Sequence, residues 1–271
     1  MNPGSVLEVK SVTVRFGGLT ALDAVSLVVP PQHVIGVIGP NGAGKTTLLN
    51  VLCGFIRPDD GEVHFGGRRH QVRPHNLASL GVARTLQGVG LYNGLTALEN
   101  VMVGATSRAK AGFWSALFAL PRAGRDERML RDLARQALDR VGAADAADAR
   151  PPELSYGMRK KVALARALVA KPGLILLDEP ASGLDESELA ELGSLIRDLA
   201  TEGSLVVIEH HVDLMMSVCD SIVVLDFGKV IATGTPRQIQ ENPAVTAAYL
   251  GAAGDQAPVD EGPIDEAPAD E

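Results

Sequence analysis

Residues 34–53 read Val34-Ile35-Gly36-Val37-Ile38-Gly39-Pro40-Asn41-Gly42-Ala43-Gly44-Lys45-Thr46-Thr47-Leu48-Leu49-Asn50-Val51-Leu52-Cys53. An apolar run short enough for a buried strand comes first, a glycine-rich stretch follows, and Leu48, Leu49, Leu52 and Cys53 then recur at helical spacing. Strand, glycine loop and helix in that order begin a βαβ unit with a parallel sheet. From Gly39 to Thr46 the loop carries G-x-x-x-x-G-K-[ST] in the context the pattern requires. Glycines let consecutive backbone N–H groups turn inward around a polyphosphate, and the following helix offers its positive N-terminal end. Lys45 supplies charge for the β- and γ-phosphates and the Thr46 hydroxyl a ligand for Mg²⁺. Nucleoside triphosphate binding is therefore expected at Gly39, Pro40, Asn41, Gly42, Ala43, Gly44, Lys45 and Thr46, with Thr47 directly after. The chain has no N-K-x-D guanine reader, so a GTPase is disfavoured, while small-molecule kinases stay open on this loop alone.

Downstream, Leu174-Ile175-Leu176-Leu177, Leu205-Val206-Val207-Ile208 and Ile222-Val223-Val224-Leu225 are continuous apolar runs, with a helix from Glu186 to Ala200 between the first two. Such runs suit a parallel sheet covered on both faces. The first ends in Asp178-Glu179, at the sheet edge where the phosphate loop lies. One carboxylate there can hold a Mg²⁺ water shell, and the next can position or deprotonate an attacking water. His210 follows the second run and reaches the same edge, where an imidazole can hydrogen-bond a γ-phosphate or that water. Gln87 offers an amide oxygen between the nucleotide-binding part and a helical stretch. Upstream, residues 5–33 alternate around Gly17-Gly18 and predict short strands and hairpin turns. Residues 95–170 read as helix throughout, with Leu130, Leu133, Ala134, Ala137, Leu138 and Val141 three and four apart, as a helical insertion in an α/β body.

Composition removes whole classes. At 271 residues, 46% apolar and 21% charged, the chain is globular rather than fibrous or disordered. No apolar stretch approaches the roughly 20 residues of a membrane span. The N-terminus lacks the basic start and apolar run of a signal peptide, and no internal repeat is present. Of the net charge of −8, −7 comes from residues 252–271, which hold seven acids and no Lys or Arg; the body has 25 basic and 26 acidic residues and no signature for nucleic acid. That tail is too poor in apolar residues to order itself. Cys53 and Cys219 have no Cys or His at metal-ligand spacing, which fits structural thiols in a reducing compartment.

These pieces, with Leu154-Ser155-Tyr156-Gly157-Met158 before the Asp178-Glu179 strand and Ser182-Gly183-Leu184-Asp185 after it, resemble the ATP-binding subunit of ABC transporters over residues 5–251. Three features are similar to the ATPases of branched-chain amino acid importers. They are the Leu-Ser-Tyr-Gly signature, the inserted segment from Gly112-Phe113-Trp114-Ser115 through Arg125, and the ending Asn242-Pro243 to Tyr249-Leu250-Gly251. The resemblance implies a P-loop NTPase (RecA-like) α/β core over 1–251 with an N-terminal antiparallel β subdomain, a helical subdomain at about 88–170, and an acidic tail at 252–271.

It also implies roles. Phe16 matches the aromatic that stacks on adenine; Thr46, Gln87 and Asp178 match the Mg²⁺ shell; Glu179 matches the catalytic carboxylate, acting with Lys45 and the switch histidine His210, which register favours over His211. Ser155 and Gly157 match the signature that contacts ATP held by the other subunit, and Asp185 matches a residue crossing the dimer seam. Ser155 also opens a helix containing Arg159, Lys160 and Lys161, whose N-terminal amides can hold an anion. The implied partners are transmembrane permease subunits, a second ABC ATPase or a second copy of this chain, and indirectly an extracytoplasmic substrate-binding protein, with the chain on the cytoplasmic face of the membrane. Tyr156 and Met158 stand where Gly and Gln are usual, and His211 where Asp is frequent. Between Arg108 and Arg140, eight basic residues face four acidic ones beside Phe113, Trp114, Leu117, Phe118 and Leu120, which suits either a core-facing helix or a surface meeting lipid headgroups or a permease helix. An exporter ATPase and a soluble ABC ATPase are the remaining alternatives.

Overall fold

The computed structural model describes residues 6–70, 72–85, 89–106 and 121–254. Gln87, the segment 112–120 and the tail from 255 onward lie outside the described residues.

The expected hairpin is present but long, as β1 (Leu7–Phe16) and β2 (Leu19–Val29) pair antiparallel through the Gly17-Gly18 turn. Short strands were expected from the alternation around Gly17-Gly18, whereas the register shifts between β1 and β2 fall within continuous strands. Ser11 and Ala24 adopt left-handed backbone there. The amides the bulges free are taken by neighbouring hydroxyls, Ser11 N donating to Ser26 Oγ (2.8 Å) and Ala24 N to Thr13 Oγ1 (3.0 Å). β4 (Asp60–Phe65) lies on the other side of β1 and β5 (Arg68–Arg69) at the edge, completing an antiparallel sheet in the order β2-β1-β4-β5.

The second sheet has the order β10-β9-β3-β8-β7-β6, with β3 (Val34–Ile38), β6 (Val82–Arg84), β7 (Leu174–Asp178), β8 (Ser204–Ile208) and β9 (Ser221–Asp226) parallel and β10 (Lys229–Gly234) antiparallel at one edge. β6, at only three residues, is too short to show any period in sequence. The continuous apolar runs are explained by what covers each face. Ile35, Val37, Leu174, Leu176, Val206 and Ile208 pack in a core shared with β1, β2 and the helix α1 (Lys45–Leu52), which is sandwiched between the sheets. Their neighbours Val34, Ile38, Ile175, Leu177, Leu205 and Val207 pack in a second core under the helices.

Those helices are α2 (Ala97–Gly104), α3 (Pro121–Arg140), α4 (Tyr156–Leu168), α5 (Glu186–Ala200) and α6 (Val212–Val218). α3 buries Leu130, Ala134, Ala137 and Leu138 at the predicted spacing. The stretch 95–170 is not helical throughout: between α3 and α4 the chain makes two 3₁₀ turns, Ala144–Ala146 and Pro151–Glu153. Pro151 and Pro152 lack the N–H that an α-helix would require there. After α7 (Pro236–Gln240), α8 runs from Pro243 to Gly254, three residues past the boundary expected at 251, carried on by Ala252 and Ala253.

Candidate active site

The parallel register sets the site. Val37 lies beside Ile208 and Asp178 beside Ile208, so the ends of β3, β8 and β7 form one edge. At the end of β3, Gly39 turns with φ 153°, and a Cβ there would sit 2.1 Å from the Leu225 carbonyl oxygen, so only glycine fits. The loop closes on itself through Ala43 N to Pro40 O (3.2 Å) and is tied to the β9–β10 turn through Gly228 N to Ala43 O (3.1 Å). α1 starts with no side-chain cap and no acidic residue in its first turn, which leaves its N-terminal amides available to an anion. Lys45 folds back so that Nζ donates to Gly39 O (2.7 Å) and Pro40 O (2.9 Å). Burial lowers the Lys45 pKa, and the nearby Glu179 carboxylate partly offsets this. Thr46 is exposed at the helix start, and Phe16 is 51% exposed at the end of β1.

At the end of β7, Asp178 is buried and its Oδ2 accepts from Arg84 Nη2 at 3.1 Å. Arg84 stands on β6, donates to Asn50 Oδ1 of α1 (3.3 Å) and lies over the Phe55 ring (5.5 Å). Glu179 comes next with φ 46°, a left-handed conformation costly for a carboxylate-bearing residue. Its N–H bonds Ile208 O at 2.9 Å, which extends the ladder one residue beyond the strand. At the end of β8, Glu209 has no exposed surface. Its Oε1 accepts from Ala181 N (2.6 Å), and Oε2 accepts from His210 N (2.9 Å) and His211 N (3.2 Å). Glu209 thus ties the turn after Glu179 to the turn carrying the histidines. The His210 ring is exposed, whereas His211 Nδ1 is buried without a hydrogen-bond partner, an arrangement that favours His210 as the side chain presented outward.

Two helices meet over the 179–185 turn. Ser155 caps α4 by accepting from Met158 N at 3.2 Å, and Asp185 caps α5 in a reciprocal box with Glu188. Gly157 is buried with the Glu188 carboxylate packed against it. Of the basic residues expected to favour an anion at the start of α4, Lys160 is engaged elsewhere. Its Nζ donates to the carbonyl oxygens of Glu179 (3.3 Å), Pro180 (2.9 Å) and Ser182. Lys161 pairs with Glu191 at 2.6 Å. The structure therefore brings Lys45, Thr46, Asp178, Glu179 and His210 to one edge and places Ser155, Gly157 and Asp185 at the adjoining turn.

Sequence reasoning missed Arg84, Glu209 and the inward role of Lys160. Glu209 had a readable signal, a lone carboxylate closing an all-apolar strand, since such a group is buried and must be satisfied. Arg84 had none, because its partners lie 34 and 94 residues away in sequence.

A phosphate loop, a strand ending in Asp-Glu and a capped signature helix on this two-sheet scaffold define a nucleotide-hydrolysing cassette. The chain belongs to the ABC transporter family, whose model matches residues 22–182, and it is an ABC ATPase whose cassette binds ATP. Residues 229–255, comprising β10, α7 and α8, match the branched-chain amino acid ATP-binding cassette transporter family. The chain is 41% identical to BraF, a high-affinity branched-chain amino acid transport ATP-binding protein of Pseudomonas aeruginosa, over 92% of this chain and 98% of that one. It is 38% identical to LivG of Escherichia coli K12, of the same description, over the same shares. Among solved structures, the ADP conformation of an ATP-binding cassette of an ABC transporter superposes with a TM-score of 0.78 at 29% identity, covering 91% of this chain and 99% of that one. Among the described residues no helix is long and apolar enough to cross a membrane.

The residues fit a hard divalent cation. Thr46 and Asp178 offer oxygen only, the donor type Mg²⁺ takes, and Arg84 occupies just one of the two Asp178 oxygens. No group of three or more His, Cys, Asp or Glu that could hold a metal occurs among the described residues.

Proposed function

We propose that this chain is the ATP-hydrolysing subunit of an importer for branched-chain or related amino acids, working at the cytoplasmic face of a membrane with transmembrane permease subunits. What carries the reading is the match of the C-terminal segment 229–255 to the branched-chain amino acid cassette family, on a chain whose phosphate-loop part matches the ABC transporter family as a whole. An exporter role is the weaker reading, since LptB, a lipopolysaccharide export ATP-binding protein of Haemophilus influenzae, is 31% identical where BraF is 41% identical.

In this reading Phe16 stacks on adenine, the loop amides from Gly39 to Thr47 hold the polyphosphate, and Lys45 exchanges its two loop carbonyls for β- and γ-phosphate oxygens. Thr46, Asp178 and the Gln87 amide would hold Mg²⁺, which when bound would supply neutralising charge on those phosphates. Glu179 accepts a hydrogen bond from the attacking water and takes its proton as the water oxygen bonds the γ-phosphorus in line and the bond from that phosphorus to the β,γ-bridging oxygen breaks, releasing ADP and inorganic phosphate. His210 donates to a γ-phosphate oxygen. Ser155, Gly157 and Asp185 serve the nucleotide of a second ATPase subunit, either another copy or a related chain, so closure of the pair completes both sites and moves the permease. The helical segment at about 88–170 is the part through which that motion passes.

The test is to purify tagged Glu179→Gln chain from detergent-solubilised native membranes with ATP present and identify what accompanies it by mass spectrometry. Recovery of polytopic membrane subunits with a second ATPase is expected. Recovery of soluble partners alone would overturn the importer reading.

A further inference from the structure

The turn after β7 must hold Glu179 in a left-handed conformation. Its members Leu177, Ala181 and Leu184 reach the core under the helices, but among the described residues Asp178, Glu179, Pro180 and Ser182 also line a cavity of about 560 Å³ between α4 and α5. Close packing of side chains, the usual means of over-determining a strained backbone, is reduced on that side. Contacts from α4 take its place. Lys160 directs its ammonium at three carbonyl oxygens of the turn, those of Glu179, Pro180 and Ser182, which matches its three donors. One helical turn earlier on the same face, the Tyr156 ring covers that ammonium at 5.3 Å from its centroid. The ring also packs on Gly183, where a Cβ would come within 2.9 Å of Tyr156 Cε1. Burial lowers the Lys160 pKa while Glu209, Glu179 and Glu188 oppose the effect, as a desolvated ammonium facing carboxylates must.

We propose that Tyr156 and Lys160 form a latch from the signature helix to the catalytic turn, so that Lys160 is a positioning residue for Glu179 and the signature tyrosine shields its ammonium. The coupling this implies rests on the function proposed above. Ser155 opens α4 toward a nucleotide held by the second subunit, while Glu179 acts on the nucleotide of its own chain. A shift of α4 when Ser155 engages phosphate is carried by Lys160 directly into the backbone of Glu179, so occupation of one half-site sets the geometry of the other.

The experiment has two arms on the full-length chain. In the first, amide hydrogen exchange without nucleotide compares wild type with Lys160→Met and Lys160→Arg. Faster exchange over residues 179–185 in Lys160→Met, restored toward wild type by Arg, is expected, and unchanged exchange there would overturn the latch. This arm needs no ATPase activity, so it fails or succeeds independently of the proposed function. In the second, steady-state ATP hydrolysis is measured beside equilibrium binding of ATP. Lys160→Met should lower kcat by about 10- to 100-fold, with ATP affinity within about twofold of wild type and substantial rescue by Arg, because a misplaced catalytic group loses rate rather than binding. Equal loss of kcat and affinity, or no rescue, would overturn the positioning role. Should Lys160→Met not fold, Tyr156→Leu removes the shield while leaving the ammonium, and it should give the same split at smaller size; wild-type kcat in that variant would count against the latch.

Discussion

Two strand ends of one sheet build this site in opposite ways. The loop after β3 is made mostly by its own backbone: Gly39 to Lys45 are contiguous, and Lys45 Nζ, Ala43 N and Leu48 N all bond partners within residues 39–48, while Gly228 N ties Ala43 O from the β9–β10 turn. The turn after β7 is held by side chains from elsewhere, with Arg84 from β6 on Asp178, Glu209 from β8 on Ala181 and Lys160 from α4 on three carbonyls. A loop that binds polyphosphate needs a fixed cradle, which local hydrogen bonding supplies. A turn carrying the carboxylate proposed to meet water gains from outside anchors, because anchors let other parts of the molecule adjust it.

The largest contrast is functional. Lys45→Ala strikes the cradle and should abolish measurable ATP binding, read by nucleotide titration. Glu179→Gln strikes the turn and should retain the nucleotide while turnover falls by about 10²- to 10⁴-fold, the usual contribution of a positioned general base. Unchanged affinity in the first, or undiminished phosphate release in the second, would erase the division of labour.

The same contrast governs what could be read in advance. The cradle, α1 and the strands β3, β7, β8 and β9 were legible because their signals are local: a motif of eight residues, or a continuous apolar run. α5 was legible from Glu186 to Ala200 for the same reason. The bulges at Ser11 and Ala24 hid the length of β1 and β2 because a bulge shifts the two-residue period. The anchors of the β7 turn were illegible except Glu209, since whether an arginine or lysine faces solvent or a buried carbonyl depends on which element packs beside it. Lys160 and Lys161 are adjacent, yet one grips the turn and the other pairs with Glu191 at the surface.

Stability changes sharpen the comparison next. Arg84→Met leaves the Asp178 carboxylate buried with no cation, so about 3–5 kcal/mol of unfolding free energy should be lost, measured by urea denaturation. A loss below about 1 kcal/mol would mean the turn does not depend on its β6 anchor. Glu209→Ala leaves three backbone amides without their acceptor and should cost about 2–4 kcal/mol, whereas Glu209→Gln keeps an oxygen for some of them and should cost less. If both variants match wild type, the tie between the Glu179 and histidine turns is dispensable.

The smallest effect comes from the two thiols, which sample the packing behind each side of the sheet. Burial pushes Cys53, at the end of α1, up to about 11, with Arg84 drawing it partly back, and pushes Cys219, at the end of α6, up to about 12. In the unfolded chain both titrate near 9. Between 9 and these raised values the folded state keeps protons the unfolded state has released, so stability is fully present below pH 9 and declines as pH rises. From pH 8 to pH 10 the loss should be about 1 kcal/mol for each thiol, visible as a falling urea midpoint that Cys219→Ala makes shallower. A urea midpoint that stays level between pH 8 and pH 10 would mean that neither thiol keeps its proton through burial, and that the packing behind the two sides of the sheet is looser than that around Leu49 and Met215.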